Sequence, residues 1–467
     1  MRLIASVILV ALALAAPSLA QLVREASSSP SQSYEITIYN SNLGLVKDLR
    51  SIDLDTGLNK LRISDVAAQI DPTSVHFKSI TDPTGLATLE QNYQYDLVDN
   101  NKLLSKYLGK KIKIKRWAQN EEITTEGTLL SASGGIVLQT EDRIILNPQG
   151  TVELAELPEG LIIKPTLDWL VESAKAGEQK IELSYLTQGI NWVCNYVTVV
   201  NQDDTMVDLT GWVTIDNRSG ATYKDAGLKL IAGDIHRVQP PMYADRMMEA
   251  KAAGLGGAPQ FEEKAFFEYH MYTLGRRTTI KDNETKQMTL LSAADVPARK
   301  VYIFDPGQQY RYGGDSSAAQ KINVKMEFKN SADQNLGMPL PKGKIRVYKA
   351  DVDGSLQFVG EDEIDHTPKD EKIRIYVGDA FDLVGERASK DYKQISDRVR
   401  EETIEIKLRN HKDQDVEITA VEHLWGDWEI LETTAEYNKK DANTAEFTVK
   451  VPKDGETIIT YTVRTRW

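Results

Sequence analysis

Leu167-Asp168-Trp169-Leu170-Val171, followed after the Ala176-Gly177 turn by Ile181-Glu182-Leu183-Ser184-Tyr185, is the stretch that decides how this chain folds. Successive side chains of an extended backbone point to opposite faces, so Leu167, Trp169 and Val171 fall on one side, as do Ile181, Leu183 and Tyr185. A helix would spread the same residues around its circumference. The rhythm of two recurs upstream at Ile36 and Ile38, Ile52 and Leu54, Leu61 and Ile63, and Val75 and Phe77. Downstream, Ile345 to Tyr348 and Leu356 to Val359 flank Asp353-Gly354, a dipeptide that favours the tight turn of a hairpin. A mostly β chain is expected, built of several β-sandwich domains of the immunoglobulin kind and a small barrel.

The runs group into blocks. Residues 1–20 carry Arg2, an apolar run from Leu3 to Ala16 and then Pro17-Ser18-Leu19-Ala20, the three-part layout of a signal peptide cleaved before Gln21. The run breaks at Pro17, short of the roughly 20 residues a spanning helix needs, and no long apolar stretch follows, so no transmembrane segment is expected after cleavage. Residues 21–33 read as a flexible linker and 34–95 as an N-terminal β domain. Residues 96–160, with a helix-capable stretch at Leu103 to Leu108 and five short strands, read as a small barrel of the Sm or SH3 kind. Residues 161–400 form a central β-sandwich with a mobile insertion rich in Pro, Met, Ala and Gly at about 239–264, and 401–467 a C-terminal immunoglobulin-like sandwich.

Composition narrows the partners. A net charge of -13 opposes nucleic acid, whose binding is driven by Lys and Arg neutralising phosphates. Cys194 is the sole cysteine, so no internal disulfide forms and core packing must stabilise the fold. None of the six histidines has a second at the spacing that puts two ligands on one helical face, and nothing in the sequence asks for a metal ion or a cofactor. Asp351-Val352-Asp353-Gly354-Ser355 begins like a calcium loop but has Leu356 where glycine is needed and Asp362 where glutamate is needed, leaving the hairpin turn as its explanation.

Three features carry candidate chemistry. Gly314-Asp315-Ser316-Ser317-Ala318 superficially matches the nucleophile loop of trypsin-like proteases but lacks the glycines that let backbone amides converge on an oxyanion, and reads as a solvated loop. Lys111, Lys113 and Lys115 alternate with Ile112 and Ile114, so on a strand they share a face that either meets an anionic polysaccharide or lipid head group or is merely the solvated side. Trp425 and Trp428 flank Gly426-Asp427 and suit sugar stacking if exposed, core or turn packing if not. Cys194 shares parity with Trp192 and Tyr196, as a small buried apolar residue would. Asn217-Arg218-Ser219 and Asn283-Glu284-Thr285 match glycosylation acceptors, which matter only in a host that glycosylates.

Tyr185-Leu186-Thr187-Gln188-Gly189-Ile190-Asn191-Trp192, Gly211-Trp212-Val213-Thr214-Ile215-Asp216-Asn217-Arg218-Ser219-Gly220, Asp365-His366-Thr367-Pro368 and Val377-Gly378-Asp379-Ala380-Phe381-Asp382 resemble strings of an exported bacterial family. It is the domain-of-unknown-function 4139 family, with mucoidy-inhibitor-like relatives. The resemblance implies β-sandwich architecture and supplies no catalytic residues. Cys194 stands where that family usually has alanine, and the coiled coil of the mucoidy-inhibitor-like relatives has no heptad counterpart here.

The sequence thus points to an exported periplasmic or extracellular protein that binds or scaffolds, without catalysis, a protein or glycan of the cell envelope. The rival is a hydrolase of envelope polymers using an Asp or Glu pair assembled by the fold, which 69 acidic residues conceal.

Overall fold

The computed structural model describes residues 24–27, 31–95, 98–118, 121–158, 160–233, 261–266, 268–307 and 319–467. The expected signal peptide, residues 239–260 of the expected insertion and Gly314-Asp315-Ser316-Ser317-Ala318 lie outside them. A single α-helix, Asn100–Lys106, accompanies the strands among these residues. The chain is mostly β, in several sheets. It divides into two compact units interleaved in sequence, one drawn from Met1–Glu35, Leu45–Gln188 and Ser219–Ala226 and the other from Ile36–Gly44, Gly189–Arg218 and Gly227–Trp467.

In the first unit, a four-stranded sheet runs in the order Arg24–Ser27, Gly57–Ser64, Thr166–Ser173, Leu86–Gln94. Residues 24–27, read from sequence as linker, form its parallel edge, with Arg24 beside Asn59. The open amides and carbonyls of Gly57–Ser64 give an extended neighbour a ladder to join, which composition does not reveal. Leu167 lies opposite Ile63 and Trp169 opposite Leu61, and all four are buried. Gly177 turns the chain with φ +111 into Gly177–Thr187, whose Ile181, Leu183 and Tyr185 are buried as well. Phe77 packs edge-on against Trp169 with ring centroids 4.8 Å apart. Each such burial stabilises by about 1.5–3 kcal/mol.

The helix Asn100–Lys106 opens three residues before the helix-capable stretch, because the Asp99 carboxylate caps it by accepting from the Lys102 amide at 2.9 Å. Five antiparallel strands follow, ordered Ile144–Leu146, Val137–Gln139, Glu121–Ser131, Lys111–Ala118, Thr151–Glu153. Tyr107, Ile112, Ile114, Leu129 and Leu138 form their core. The Tyr107 hydroxyl donates to the Glu156 carbonyl at 2.7 Å and accepts from its amide at 2.9 Å, fastening the segment that leaves this sheet.

The second unit is organised by a path of ten strands: Leu356–Ile364, Gly343–Ala350, Ile190–Val200, Met206–Asn217, Glu284–Phe304, Gln320–Lys329, Lys372–Ser396, Val399–Asn410, Gly455–Arg466, Asp427–Thr433. Two are very long, at 21 and 25 residues, and change partners along their length. Glu284–Phe304 pairs first with Met206–Asn217 and then with Gln320–Lys329, carrying the chain from one group of strands to the next. The Asp353-Gly354 hairpin forms, with Tyr348 opposite Phe358 and Gly354 at φ +81. Ile404, Ile406, Leu408, Phe447, Ile459 and Tyr461 belong to the core of the C-terminal strands.

Asn217, Asn330 and Asn410, all fully buried, stand at strand ends and clasp the loops beside them. The Asn217 amide donates to the Lys281 carbonyl at 2.9 Å. That of Asn330 donates to Met338 at 2.8 Å and Pro368 at 2.9 Å, and that of Asn410 to Gln414 at 2.8 Å and Pro452 at 3.0 Å. Buried carbonyls need donors, and each asparagine supplies them where the sheet ladder stops. Asn217 is therefore closed to glycosylation in the folded chain, whereas Asn283 is exposed.

Candidate functional site

Lys111, Lys113 and Lys115 do lie together on the outer face of Lys111–Ala118, with Ile112 and Ile114 buried behind them. The register interleaves them with acids. Lys113 is opposite Glu126 on one side and Glu153 on the other, and the Lys115 ammonium stands 3.2 Å from both Glu122 and Glu153. Hydrogen bonds to Glu153 and Glu122 hold the Lys115 ammonium above the ordinary lysine range. Matched charges at this spacing cancel within a Debye length of about 10 Å, so the stripe projects little net positive field.

The reactive-looking groups elsewhere are committed to the framework. Cys194 is buried with Trp192 and Tyr196, and desolvation pushes its thiol up to about 12. Among the described residues five carboxylates are buried, and each faces a cation: Asp48 faces Arg50 at 2.7 Å, Asp82 Lys175 at 3.2 Å, Asp168 Arg62 at 2.8 Å, Glu327 Arg299 at 2.6 Å, and Glu422 Arg387 at 3.0 Å. Glu327 also binds Arg374; burial alone would raise its pKa, but the bonds from Arg299 and Arg374 outweigh that and hold it below the usual range. The Tyr461 hydroxyl completes the Glu422 network at 2.5 Å. Among the described residues no three His, Cys, Asp or Glu side chains gather as a metal set.

Of the clefts among the described residues, two have charged walls, and they lie in separate units. One of about 400 Å³, in the first unit, has Tyr34, Thr222 and the Asp65 and Lys164 ion pair in its wall. One of about 510 Å³, in the second, is walled by Pro297, Arg299, Glu327 and Phe328. The prominent charged groups of both, Asp65 with Lys164 and Glu327 with Arg299, already hold one another.

A different arrangement closes the end of the C-terminal core. The two tryptophans of Trp425-Gly426-Asp427-Trp428 part company: Trp428 turns inward, its indole N–H donating to the Ala442 carbonyl at 2.6 Å, while Trp425 stays 46% exposed. Gly426, at φ +70, permits the turn between them. The Trp425 ring lies 5.1 Å from that of Trp467, itself 49% exposed, at an interplanar angle of 45°. The Arg400 guanidinium sits 4.6 Å over Trp425 and 5.8 Å from the Trp467 centroid. Strand register puts it there, since Arg400 pairs with Thr465, which in turn pairs with Trp428. Arg400 also shares parity with the buried Ile404, Ile406 and Leu408, so it terminates the core face of its strand.

The neighbouring arginines differ. Arg464 binds Glu401 at 2.6 Å, and Arg466 faces Asp427 at 3.5 Å and Glu429 at 3.7 Å. Arg400 makes no side-chain hydrogen bond or ion pair with another described residue, and its contacts are the two rings. The two half-exposed indoles and the guanidinium stacked over them offer apolar ring surface beside hydrogen-bond donors, an arrangement suited to the C–H face of a sugar ring. The sequence marks only Trp425 in this cluster; Trp467 and Arg400 join it through strand pairing alone.

The strings Tyr185 to Trp192 and Gly211 to Gly220 supply framework: buried Tyr185 and Trp192, and the Asn217 clasp. Thr367 bridges to Leu340 across the sheet. Among the described residues no helix is long and apolar enough to cross a membrane. No curated protein matches the chain. A family profile matches residues 181–467, more than half of the sequence, and includes Arg400, Trp425 and Trp467. The chain belongs to the family described as Domain of unknown function (DUF4139).

Proposed function

We propose that this chain is an exported binding or scaffolding protein of the cell envelope, and that the surface formed by Trp425, Trp467 and Arg400 holds a glycan. The observation that carries the reading is the pair of half-exposed indoles 5.1 Å apart at the end of an otherwise filled core. Leaving two such rings partly in water forgoes burial at about 25 cal/mol per Å² of apolar surface, a cost a ligand would recover. The lysine stripe is the weaker surface, because its acids neutralise it locally.

Affinity electrophoresis in gels cast with envelope polysaccharide tests the reading. The intact chain is expected to be retarded, and Trp425→Ala and Trp467→Ala to migrate as they do in blank gels. Equal retardation of all three chains would overturn it. Export rests on the residues before Gln21. It predicts a mature protein beginning at Gln21 in the periplasm or medium, and a cytosolic protein still carrying Met1 would refute it.

A further inference from the structure

We infer that the sugar taken by this surface is a carboxylated one, a hexuronate unit of an acidic polysaccharide; the inference rests on the glycan reading of the same residues. It follows from what Arg400 lacks. A guanidinium presents five donors in a planar fork that matches a carboxylate, and proteins ordinarily give it one. Arg464 and Arg466 obey that habit through Glu401, Asp427 and Glu429. Arg400 is held by the faces of Trp425 and Trp467 instead. Next to it Arg398 is exposed, and its backbone carbonyl accepts from the Trp467 amide at 3.2 Å, which places a second cation at the same rim.

Cation and indole divide the recognition. A sugar ring resting on Trp425 and Trp467 presents its C–H groups to the π faces, and a carboxylate on that ring reaches the guanidinium edge. A neutral hexose satisfies only the first requirement. An anionic membrane supplies charge but no ring with C–H faces for the indoles to stack on, so retention on phosphatidylglycerol vesicles is the outcome that separates a lipid surface from a sugar.

Polygalacturonate and its fully methyl-esterified form share a backbone and differ in the carboxylate, so they separate charge from stacking. The full-length chain is expected to bind the acid form at least about tenfold more tightly, the scale of one charge-assisted hydrogen bond. Arg400→Gln should erase that preference, so that the acid and ester forms bind alike, and Arg400→Lys, which keeps the charge but loses the fork, should fall between. Trp425→Ala should weaken both polymers. Near-ultraviolet circular dichroism establishes that each variant keeps its packing. If Trp425→Ala weakens both polymers but Arg400→Gln leaves the acid preference intact, the carboxylate inference fails and the glycan reading survives. If Trp425→Ala changes neither, the glycan reading itself fails. Binding to phosphatidylglycerol vesicles without binding to either polymer overturns both.

Discussion

Lys115 and Arg400 are both cations on β-strands, and they have opposite fates. Lys115 comes from the most concentrated basic run in the chain and ends between Glu122 and Glu153. Arg400 comes from a run with two acids directly after it and ends without a carboxylate, against two indoles. Charge along the sequence therefore says little about charge available to a ligand. In a sheet the neighbours that matter are those across the ladder, and register decides whether they neutralise or leave a group open.

Committed and uncommitted charges should respond differently to mutation. The largest effect is expected at Glu422, where removal takes a buried carboxylate away from Arg387 and the Tyr461 hydroxyl in the C-terminal core. Glu422→Ala should lower unfolding free energy by about 3–5 kcal/mol in denaturant titration, the range for breaking a buried pair. Loss below about 1 kcal/mol would mean that the network is solvated. Asn410→Ala removes donors to Gln414 and Pro452 and should cost about 1–3 kcal/mol, while Asn283→Gly, at an exposed turn with φ +55, should cost under about 0.5 kcal/mol.

Acid offers a milder probe of the same distinction. Because Glu327 is held below its ordinary value of 4.5, its contribution is fully present above that pH and is lost as pH falls toward the depressed folded value. Melting curves should therefore drop below about pH 4.5 in the intact chain, and less steeply in Glu327→Gln. Identical slopes would show that Glu327 is not the titrating group. Smallest of all, Lys113→Gln should leave the melting temperature within error, and a large drop would mean that the stripe supports its sheet.

Much of the fold was legible because burial in a strand follows alternation. Leu167, Trp169, Val171, Ile181, Leu183 and Tyr185 are all buried, as their spacing requires. The long strands were harder to read, since Glu284–Phe304 and Lys372–Ser396 contain bulges at which parity slips and partners change. Arg24–Ser27 has no apolar rhythm to announce its pairing with Gly57–Ser64. Strand-end asparagines look like turn residues until the carbonyls they serve are known. The candidate surface was half visible: Trp425 invited a stacking role, but Arg400 and Trp467 arrive on other segments, and nothing local marks them as its companions.

Isothermal titration with envelope polysaccharide, run on Trp425→Ala and Lys113→Glu side by side with the intact chain, tests the central claim most directly. The account predicts that Trp425→Ala weakens binding at least about tenfold, the scale of a binding hot spot, while Lys113→Glu binds as the intact chain does. Weakened binding in Lys113→Glu with full affinity in Trp425→Ala would contradict it and return the site to the lysine stripe.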